Sequence, residues 1–567
     1  MSSLDWIVLS LTLIFVVAYG IYRSREKHTM DSFLLAGQSM PWYHVTLSLM
    51  ATQASAITFL SAPGQAYTDG MRFVQFYFGL PLAMVVLCIT FVPKFGQLKI
   101  FTAYEFLERR FDLRTRALTS FLFLLQRGLS TGLSIYAPSL ILSAILGWDI
   151  MWTNIISGGI VMLYTIAGGS RAVSHTHLQQ MGIITVGMVI AGVMVVRFLP
   201  NDVSFGDALH VAGKMGKINL IDFTFDLNNR YNVWSGLIGG FFLQLSYFGT
   251  DQSQVGRFLT GSSQGQSKLG LAMNGLLKIP MQFMILLVGV LVFAFYQFTN
   301  PPLFFNETAV EQVRKTQYAA EYQKLETRHD AIQAAKRPHV MELTRALKKD
   351  DEPAIEQSRT ALAKIETQVQ DVRKQAGAVL SKANGAEIND VNYIFLRFVI
   401  DYLPVGMVGL LIAVILLASM GSVASAYNSL ASCSIVDIYK RMVHKDDDSR
   451  NYVAASRWAT FFWGVFCIGV AQYASRLGSM IEAVNILGSL FYGVILGIFL
   501  VAFYFPKIGS RAVFFASILG EIFVVLSYWL DLTAFLWLNL IGCALVIFFA
   551  LILEKIWPQP AQEVNAL

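Results

Sequence analysis

A stretch near the N-terminus has the length of a membrane-spanning helix but contains residues that interrupt one. It reads Ser48-Leu-Met-Ala-Thr-Gln-Ala-Ser-Ala-Ile-Thr-Phe-Leu-Ser-Ala-Pro-Gly64. A second stretch, Gly239-Gly-Phe-Phe-Leu-Gln-Leu-Ser-Tyr-Phe-Gly-Thr-Asp-Gln252, is interrupted in the same way by glycine and polar residues. A broken helix in a membrane exposes carbonyl and N–H groups that need protein, water or an ion as partners. The two stretches therefore predict two broken helices that meet at a binding site.

The composition of the whole chain indicates a protein that lies mostly within a membrane. Of its 567 residues, 55% are hydrophobic and 14% are charged, whereas a soluble domain has roughly 25% charged residues. The segment 307–390 alone holds 14 basic and 14 acidic residues. Elsewhere the basic residues alternate with apolar stretches, which argues against nucleic acid as a partner. The composition also argues against a soluble globular enzyme.

Apolar stretches long enough to cross a bilayer about 30 Å thick recur along the chain. We predict an all-α polytopic membrane protein with about 13 transmembrane helices. Lys and Arg residues number 20 in the connections on one side and 6 in the short connections on the other. The positive-inside rule then places the N-terminus outside and the C-terminus in the cytoplasm. The spans are predicted at roughly 5–22, 45–67, 73–93, 117–145, 150–168, 177–199, 232–255, 270–297, 403–433, 452–474, 479–504, 512–530 and 534–554.

Each interrupted stretch begins a unit of five spans, at 45–199 and at 232–504. Because five is odd, the second unit inserts upside down relative to the first, which predicts a 5+5 inverted repeat. Tight helix packing through small residues is the alternative explanation of the Gly and Ser content. The remaining segments are a first span with an inner loop at 1–44, an outer loop at 200–231, and two C-terminal spans with a short tail at 505–567.

An extracytoplasmic charged helical insert, at 300–392, is predicted to interrupt the second unit. The composition of its segment 307–390 favours long helices that break near Asp350-Asp351-Glu352-Pro353, and therefore a helical hairpin. A solvated spacer without chemistry of its own is the alternative reading of this mixed-charge segment.

Several motifs resemble those of the sodium:solute symporter family. They are Phe33-Leu-Leu-Ala-Gly-Gln-Ser-Met, Ser55-Ala-Ile-Thr-Phe-Leu-Ser-Ala-Pro-Gly, Thr102-Ala-Tyr-Glu-Phe-Leu-Glu-Arg-Arg-Phe, Gly168-Gly-Ser-Arg-Ala-Val, Thr250-Asp-Gln-Ser-Gln-Val-Gly-Arg-Phe-Leu, and Asn428-Ser with Val436-Asp-Ile-Tyr-Lys. The similarity covers about residues 5–300 and 390–555 and is nearest to the monocarboxylate, multivitamin and iodide carriers. It implies a leucine-transporter type of fold, Na⁺ as the coupling ion, and a bacterial cytoplasmic (inner) membrane as the location.

The resemblance also implies a sodium site. Carbonyl groups of Ala51 and Ala54 in the first broken helix would face Ala418 and Ser422 in the ninth span, because a hard cation prefers oxygen ligands. The chain departs from the family pattern at Gly421, which replaces one of two adjacent hydroxyl residues. The nearby residues that could replace that hydroxyl are Ser419 and Ser425.

A second departure lies in the sixth span, where His177 stands at a position that is acidic in many members. Together with Ala424, which replaces a hydroxyl residue of the second sodium site, it argues against a second sodium ion. His177 could titrate near physiological pH and let a proton take part in coupling. The alternative is a neutral, hydrogen-bonded histidine.

The resemblance places the substrate between the second, seventh, eighth and eleventh spans, at Thr58, Tyr77, Gln244, Tyr247, Lys278 and Asn485. Sugar carriers tend to have Gln and Glu where this chain has Thr58 and Tyr77. Lys278 lies well inside the eighth span, where a charge is costly and commonly functional. We expect it to attract an anionic solute, with hydrogen bonding to a hydroxyl group or snorkelling to the membrane surface as alternatives. Arg127 in the fourth span receives no role from the family.

We therefore predict a secondary active transporter that carries a small organic solute together with Na⁺ by alternating access. A proton-coupled or uncoupled carrier is the first alternative, and a membrane receptor or sensor is a second. An enzyme is not expected, because the sequence has no His-Glu-x-x-His motif, Walker loop or Cys/His cluster. A small-molecule substrate and membrane lipid are the expected partners, and the oligomeric state is left open.

Overall fold

The computed structural model describes residues 1–23, 38–98, 100–384, 390–443, 449–474 and 479–558. Helices make up most of this part of the chain, which contains no strand and a single isolated bridge between Met40 and Gly261. The all-α class is therefore confirmed. The first residues of the motif that begins at Phe33 lie outside the described residues.

The first half of the chain runs from the N-terminal helix to the long helix that precedes the insert. Its α-helices are α1 Ser3–Arg23, α2 Trp42–Gln53, α3 Ala56–Asp69, α4 Leu80–Val86, α5 Val92–Leu98, α6 Tyr104–Arg110, α7 Leu113–Leu146, α8 Ile150–Arg197, α9 Phe205–Lys214, α10 Gly240–Thr250, α11 Gln252–Phe258 and α12 Gln264–Phe298. A 3-10 helix, Gly70–Tyr77, follows α3, and π-helical turns occupy Leu87–Phe91 and Ser235–Gly239.

The second half contains the insert and the remaining membrane helices. Its α-helices are α13 Glu307–Arg314, α14 Ala319–Lys348, α15 Glu352–Asn384, α16 Ile394–Tyr402, α17 Met407–Cys433, α18 Ser449–Ala471, α19 Met480–Tyr504, α20 Ser510–Trp529 and α21 Phe535–Ile556. A π-helical segment, Ser434–Val443, extends α17.

Eleven stretches of the described chain form helices that are long and apolar enough to span a membrane. They correspond to 11 of the 13 predicted spans, and the two without a separate counterpart are 45–67 and 232–255. Both of these spans contain a break that divides them into short helices. The first consists of α2 and α3, with 12 and 14 residues, and the second of α10 and α11, with 11 and 7 residues. Two broken helices are therefore observed, whereas neither the count of 13 nor the inverted repeat is established by the helix lengths.

The first break lies at Ala54 and Ser55, between α2 and α3. Ala54 has φ −80° and ψ 72°, which is outside the helical region, and Ser55 is extended. The second break lies at Asp251, between α10 and α11, where ψ is 117°. Both breaks fall in the stretches where the sequence places glycine, hydroxyl and other polar residues inside an apolar run.

The spans expected at 150–168 and 177–199 both lie in α8, which has no loop between them but is not straight. Tyr164 Oη lies 3.0 Å from Thr176 Oγ1, although 12 residues of straight helix extend about 18 Å, so α8 bends sharply between the two spans. No proline lies in the intervening segment. Gly168 and Gly169 disfavour a helix by only about 1 kcal/mol each, which helical hydrogen bonding on both sides can offset.

The insert forms an antiparallel hairpin of α14 and α15, with its turn at 349–351. Lys336 on α14 and Glu366 on α15 form a largely buried ion pair at 2.8 Å. Burial and the charge of Arg373 lower the pKa of His329 to about 4, so this imidazole is neutral at physiological pH. The base of the hairpin is fixed by an ion pair of 2.7 Å between Arg373 and Asp390.

The helix α17 lies at the centre of the molecule and packs against α1, α2, α7, α8 and α18. Nearly every residue from Val408 to Cys433 is buried, including all of its serines. A polar residue on this helix therefore faces other helices and not lipid, which is where a membrane protein can use it for binding.

Candidate functional site

A cavity of about 110 Å³ lies beside the two helix breaks. Its walls come from α2, α3, the 3-10 helix Gly70–Tyr77, α7, α10, α12 and α19. All of the residues predicted to bind substrate line this one cavity: Thr58, Tyr77, Gln244, Tyr247, Lys278 and Asn485. The fold thus brings together side chains from both predicted units, although their contact with a substrate stays a prediction.

One charged group of the cavity wall is Lys278, which is 1% exposed. Its ammonium nitrogen lies 5.8 Å from the centroid of the Tyr77 ring, close enough for a cation–π interaction. Among the described residues that line the cavity, none is acidic. Lys278 is therefore not neutralised by a carboxylate from the cavity wall.

Three glutamines add hydrogen-bonding groups to the same cavity: Gln53, Gln126 and Gln244. The side-chain Oε1 atom of each is buried and has no hydrogen-bond partner among the described residues. Buried amides are normally hydrogen-bonded, because an unpaired one costs about 1–3 kcal/mol. Unpaired amide oxygens beside a cavity are suited to accept hydrogen bonds from a polar solute inside it.

The second cation of the cavity wall, Arg127, is neutralised by Asp251, the residue at the break of the second broken helix. Its Nη2 atom lies 2.6 Å from Asp251 Oδ2 and also donates to Ser253 Oγ. Tyr492 donates its hydroxyl hydrogen to the same carboxylate oxygen at 2.9 Å. Side chains from α7 and α19 therefore hold the break between α10 and α11 in place.

Tyr247 lies directly against this ion pair. The Arg127 guanidinium is 5.6 Å from the centroid of the Tyr247 ring, and the Tyr492 ring lies 5.7 Å away on another side. Gln254 donates to the Tyr247 hydroxyl at 2.7 Å. The aromatic ring is thus packed between the cavity and the second helix break.

At the first break, the backbone exposes the two carbonyl groups expected to bind sodium. In a continuous helix the N–H of Ser55 would donate to Ala51 O, but here it donates to Gln53 O at 2.9 Å. Likewise the N–H of Thr58 donates to Ser55 O at 3.0 Å and not to Ala54 O. The carbonyls of Ala51 and Ala54 are therefore released from helical hydrogen bonding, as a cation site needs.

On the opposite helix, α17, Ser422 and Ala418 are both buried. Ser422 Oγ donates within its own helix to the carbonyls of Ala418 and Ser419, at 3.1 Å each, which leaves the hydroxyl oxygen as an acceptor. Ser425 Oγ lies 3.2 Å from Thr52 Oγ1 and so connects α17 to α2 near the break. Ser419 turns away, since its hydroxyl donates to Ser134 O of α7 at 3.2 Å.

His177 contacts Gly421, so the two departures from the family pattern form one feature of the structure. The imidazole is fully buried, with Nδ1 2.9 Å from Ser48 Oγ and Nε2 3.3 Å from Gly421 O. A Cβ atom at position 421 would lie 2.5 Å from Gln180 Oε1 and 3.3 Å from the imidazole. Glycine at 421 therefore makes room for His177 and Gln180.

Comparison with known proteins identifies the family of this chain. The model of the sodium:solute symporter family matches residues 33–321 and 372–520, which is most of the chain. The chain belongs to the sodium:solute symporter family. It is accordingly an integral membrane protein that transports a small solute, and Na⁺ is its coupling ion.

Several curated members of the family are similar to this chain. The rabbit sodium-dependent multivitamin transporter is 26% identical over 542 residues, which are 94% of this chain and 70% of the relative. The sodium-coupled monocarboxylate transporter 1 of Xenopus laevis is 25% identical, over 89% of this chain and 68% of the relative. The human sodium/iodide cotransporter is 32% identical over a shorter alignment, which covers 54% of this chain and 48% of the relative.

A solved symporter structure has the same fold. It is that of a Na⁺-coupled sialic acid symporter in a substrate-bound, outward-open state. The TM-score is 0.76 at 20% identity, and the match covers 99% of this chain and all of the other. This similarity supports the architecture of the membrane helices, and it does not identify the solute that this symporter carries.

Sequence reasoning missed several residues of the symporter's cavity, namely Gln53, Gln126, Ser130 and Tyr492, and it left Arg127 without a partner. A signal for two of them was present, because Gln126 and Arg127 interrupt an otherwise apolar run of α7. The pairing of Arg127 with Asp251 joins residues 124 positions apart, and one sequence alone does not indicate such a contact.

Proposed function

We propose that this symporter carries a small organic monoanion, such as a monocarboxylate, into the cell together with Na⁺. The observation that carries the proposal is the charge of the cavity wall. Lys278 has no acidic neighbour among the described lining residues, whereas Arg127 is neutralised by Asp251. The cavity therefore has a net charge of one positive unit when Lys278 is protonated.

An anionic solute would offset the cost of burying this ammonium group. A charged side chain buried without a partner costs several kcal/mol, and a carboxylate within hydrogen-bond distance returns much of that free energy. The unpaired Oε1 atoms of Gln53, Gln126 and Gln244 would accept hydrogen bonds from donor groups elsewhere on the solute, such as a hydroxyl. Two relatives support the choice, since monocarboxylates and iodide are anions.

The sodium ion would bind beside this cavity, between the released carbonyls of Ala51 and Ala54 and the helix α17 with Ala418 and Ser422. Gln53, Ser55 and Thr58 connect that site to the cavity, because all three lie at the same break and line its wall. Binding of sodium would therefore order the backbone that the solute contacts. By thermodynamic linkage each ligand then raises the affinity for the other by the same factor.

Alternating access would follow from the two broken helices if the units 45–199 and 232–504 form an inverted repeat. The distribution of Lys and Arg supports an orientation in the membrane with the N-terminus outside and the C-terminus in the cytoplasm. In that orientation the insert 300–392 is extracytoplasmic, and the N-terminal end of α12 faces the cytoplasm. A bacterial inner membrane is the location that we propose.

Thermal stability of the purified protein tests the solute class directly. The protein would be heated with acetate, pyruvate, lactate, nicotinate, glucose or alanine, each in sodium chloride and in choline chloride. A ligand that binds only the folded state at 100 times its dissociation constant stabilises that state by about 2.7 kcal/mol. We expect stabilisation by at least one monocarboxylate, only in sodium.

The variant Lys278→Met should lose the response to the monocarboxylate, because the counter-charge of the anion is gone. Lys268→Met is the matched control, since this lysine lies near the start of the same helix and outside the cavity lining. Stabilisation by a neutral solute and not by an anion, or an unchanged response in Lys278→Met, would contradict the proposal.

A further inference from the structure

The helix α12 has a line of buried polar side chains that extends beyond the cavity in both directions. Asn274, Lys278 and Gln282 are separated by four residues each, so they lie on one face of the helix at intervals of about 6 Å along its axis. All three are at most 1% exposed. Lys278 alone lines the cavity, which leaves Asn274 and Gln282 without a role in the site described above.

The two amides in this line have no hydrogen-bond partner among the described residues. Both the nitrogen and the oxygen of the Asn274 side chain are unpaired, and so are both polar atoms of Gln282. Each unpaired buried group costs about 1–3 kcal/mol, so an apolar side chain would be more stable at either position. Packing in this conformation therefore does not account for the two amides.

This face of α12 is directed at the first broken helix. A Cβ atom at Gly270 would lie 2.5 Å from Val45 Cγ1 of α2, and one at Gly289 would lie 2.2 Å from Pro63 O of α3. The polar line falls between these two points of close contact and on the same side of the helix. It therefore faces the region where α2 ends and α3 begins.

We propose that Asn274, Lys278 and Gln282 form a track of hydrogen-bonding groups along which the anionic solute passes, with Asn274 as a second solute position on the release side of Lys278. The inference rests on the proposed function and adds a path to its binding site. The amide nitrogens of Gln282 and Asn274 would donate to the carboxylate before and after it pairs with Lys278. The amides are unpaired in this conformation because their partner is the moving solute.

Passage of the solute can be tested separately from its binding. Na⁺-driven uptake of radiolabelled monocarboxylates into proteoliposomes, with pyruvate as the first probe, measures passage. Asn274→Leu removes the amide and keeps the number and branching of the side-chain heavy atoms. We expect the uptake rate to fall about tenfold, which corresponds to about 1.4 kcal/mol of barrier. The concentration of pyruvate that gives half-maximal thermal stabilisation should stay within about threefold, because Lys278 and the cavity wall are intact.

Two variants serve as controls. Asn274→Ser keeps a hydrogen-bonding group and should restore most of the rate. Gln297→Leu changes another buried glutamine of α12 that lies on a different face of the helix, and its rate should match that of the unchanged protein. Wild-type rates in Asn274→Leu, or equal losses in Asn274→Leu and Gln297→Leu, would overturn the proposal.

A labelling experiment tests whether position 274 lies on the solute path. It needs no solute, and it remains informative if Asn274→Leu fails to fold. Asn274→Cys would be placed in a chain with Cys88→Ser and treated with a water-soluble, anionic methanethiosulfonate. We expect this thiol to react, whereas Leu291→Cys, a buried control on another face of α12, should be inert. A thiol at 274 as inert as the control would overturn the track. Absence of Na⁺-driven uptake in the unchanged protein would contradict only the proposed function.

Discussion

At the residue scale, the site depends on backbone groups as much as on side chains. The carbonyls of Ala51 and Ala54 become available because the N–H groups of Ser55 and Thr58 donate to other acceptors. A hydroxyl on the facing helix would complete the oxygen ligands, and Ser422 is the residue that we assign to this role. Sodium needs no carboxylate within the membrane if such groups are arranged around it.

Replacing Ser422 by alanine should weaken sodium binding without unfolding the protein. The hydroxyl donates only to carbonyls of its own helix, so its loss removes one ligand and no contact between helices. We expect the sodium concentration for half-maximal uptake to rise about tenfold, as for a loss of about 1.4 kcal/mol. Ser429→Ala is the control, because that hydroxyl donates to Ser425 O of the same helix at 2.8 Å. Equal sodium dependence in both variants would contradict the assignment.

His177 should not carry a proton through the transport cycle. Both of its ring nitrogens have partners in a fully buried site, and a charge added there without a counter-ion would cost several kcal/mol. We expect no solute-dependent proton movement in proteoliposomes that contain a pH-sensitive dye. A solute-dependent pH change that disappears in His177→Asn would show that the proton-coupled alternative is correct.

Some residues of the cavity wall could be picked out from the sequence because each interrupts an apolar run. Lys278 and Tyr247 are visible in this way, and the structure places both at the cavity. The counter-charge of Arg127 is a different case, because Asp251 is distant in the sequence and only the fold brings the two together. Sequence reasoning also treated His177 and Gly421 as separate departures, although the two residues are in contact.

At the element scale, the two breaks were predictable and their stabilising contacts were not. Glycine, hydroxyl and polar residues in the middle of a span indicate that its helix is interrupted. The exact position of each break depends on contacts with neighbouring helices. At the second break, Arg127 of α7 and Tyr492 of α19 both hydrogen-bond to Asp251. Between the spans at 150–168 and 177–199 the sequence predicted a loop, and the structure has a sharp bend within α8 instead.

Asp251→Asn should destabilise the second break strongly. Arg127 would be left as a buried cation without a counter-charge, which typically costs 3–5 kcal/mol. We expect a clear fall in the midpoint of thermal unfolding, and partial recovery when Arg127→Met is added. Glu326→Gln provides the control, since it breaks an exposed ion pair with Arg314 on the insert, and such pairs contribute at most about 1 kcal/mol. A midpoint for Asp251→Asn that equals that of the control would refute this role.

At the scale of the whole molecule, the hairpin of α14 and α15 contains a segment that the family model does not match. The family model matches the chain on both sides of 322–371 and omits that segment. Tyr322 packs with Val372 and Ala376 in one buried cluster, so the two ends of the segment lie together in space. The parts of the chain before and after this segment can therefore pack together as if the segment were not there.

Replacing residues 323–371 by a four-residue Gly/Ser linker should preserve transport. The cluster around Tyr322 would remain to close the shortened loop, while the cavity and both helix breaks are untouched. We expect Na⁺-driven uptake within about threefold of the full-length rate, since none of the deleted residues lines the cavity. Loss of uptake in a protein that is produced and folded normally would mean that the hairpin takes part in the transport cycle.

The central claim is that a sodium gradient drives a small organic anion through this protein, and uptake into proteoliposomes tests it most directly. Vesicles would receive labelled monocarboxylate under an inward sodium gradient, an equal choline gradient, or a pH gradient without sodium. The account predicts accumulation above equilibrium only with the sodium gradient, and its loss in Lys278→Met. Accumulation driven by the pH gradient alone, or equal uptake under sodium and choline, would contradict it.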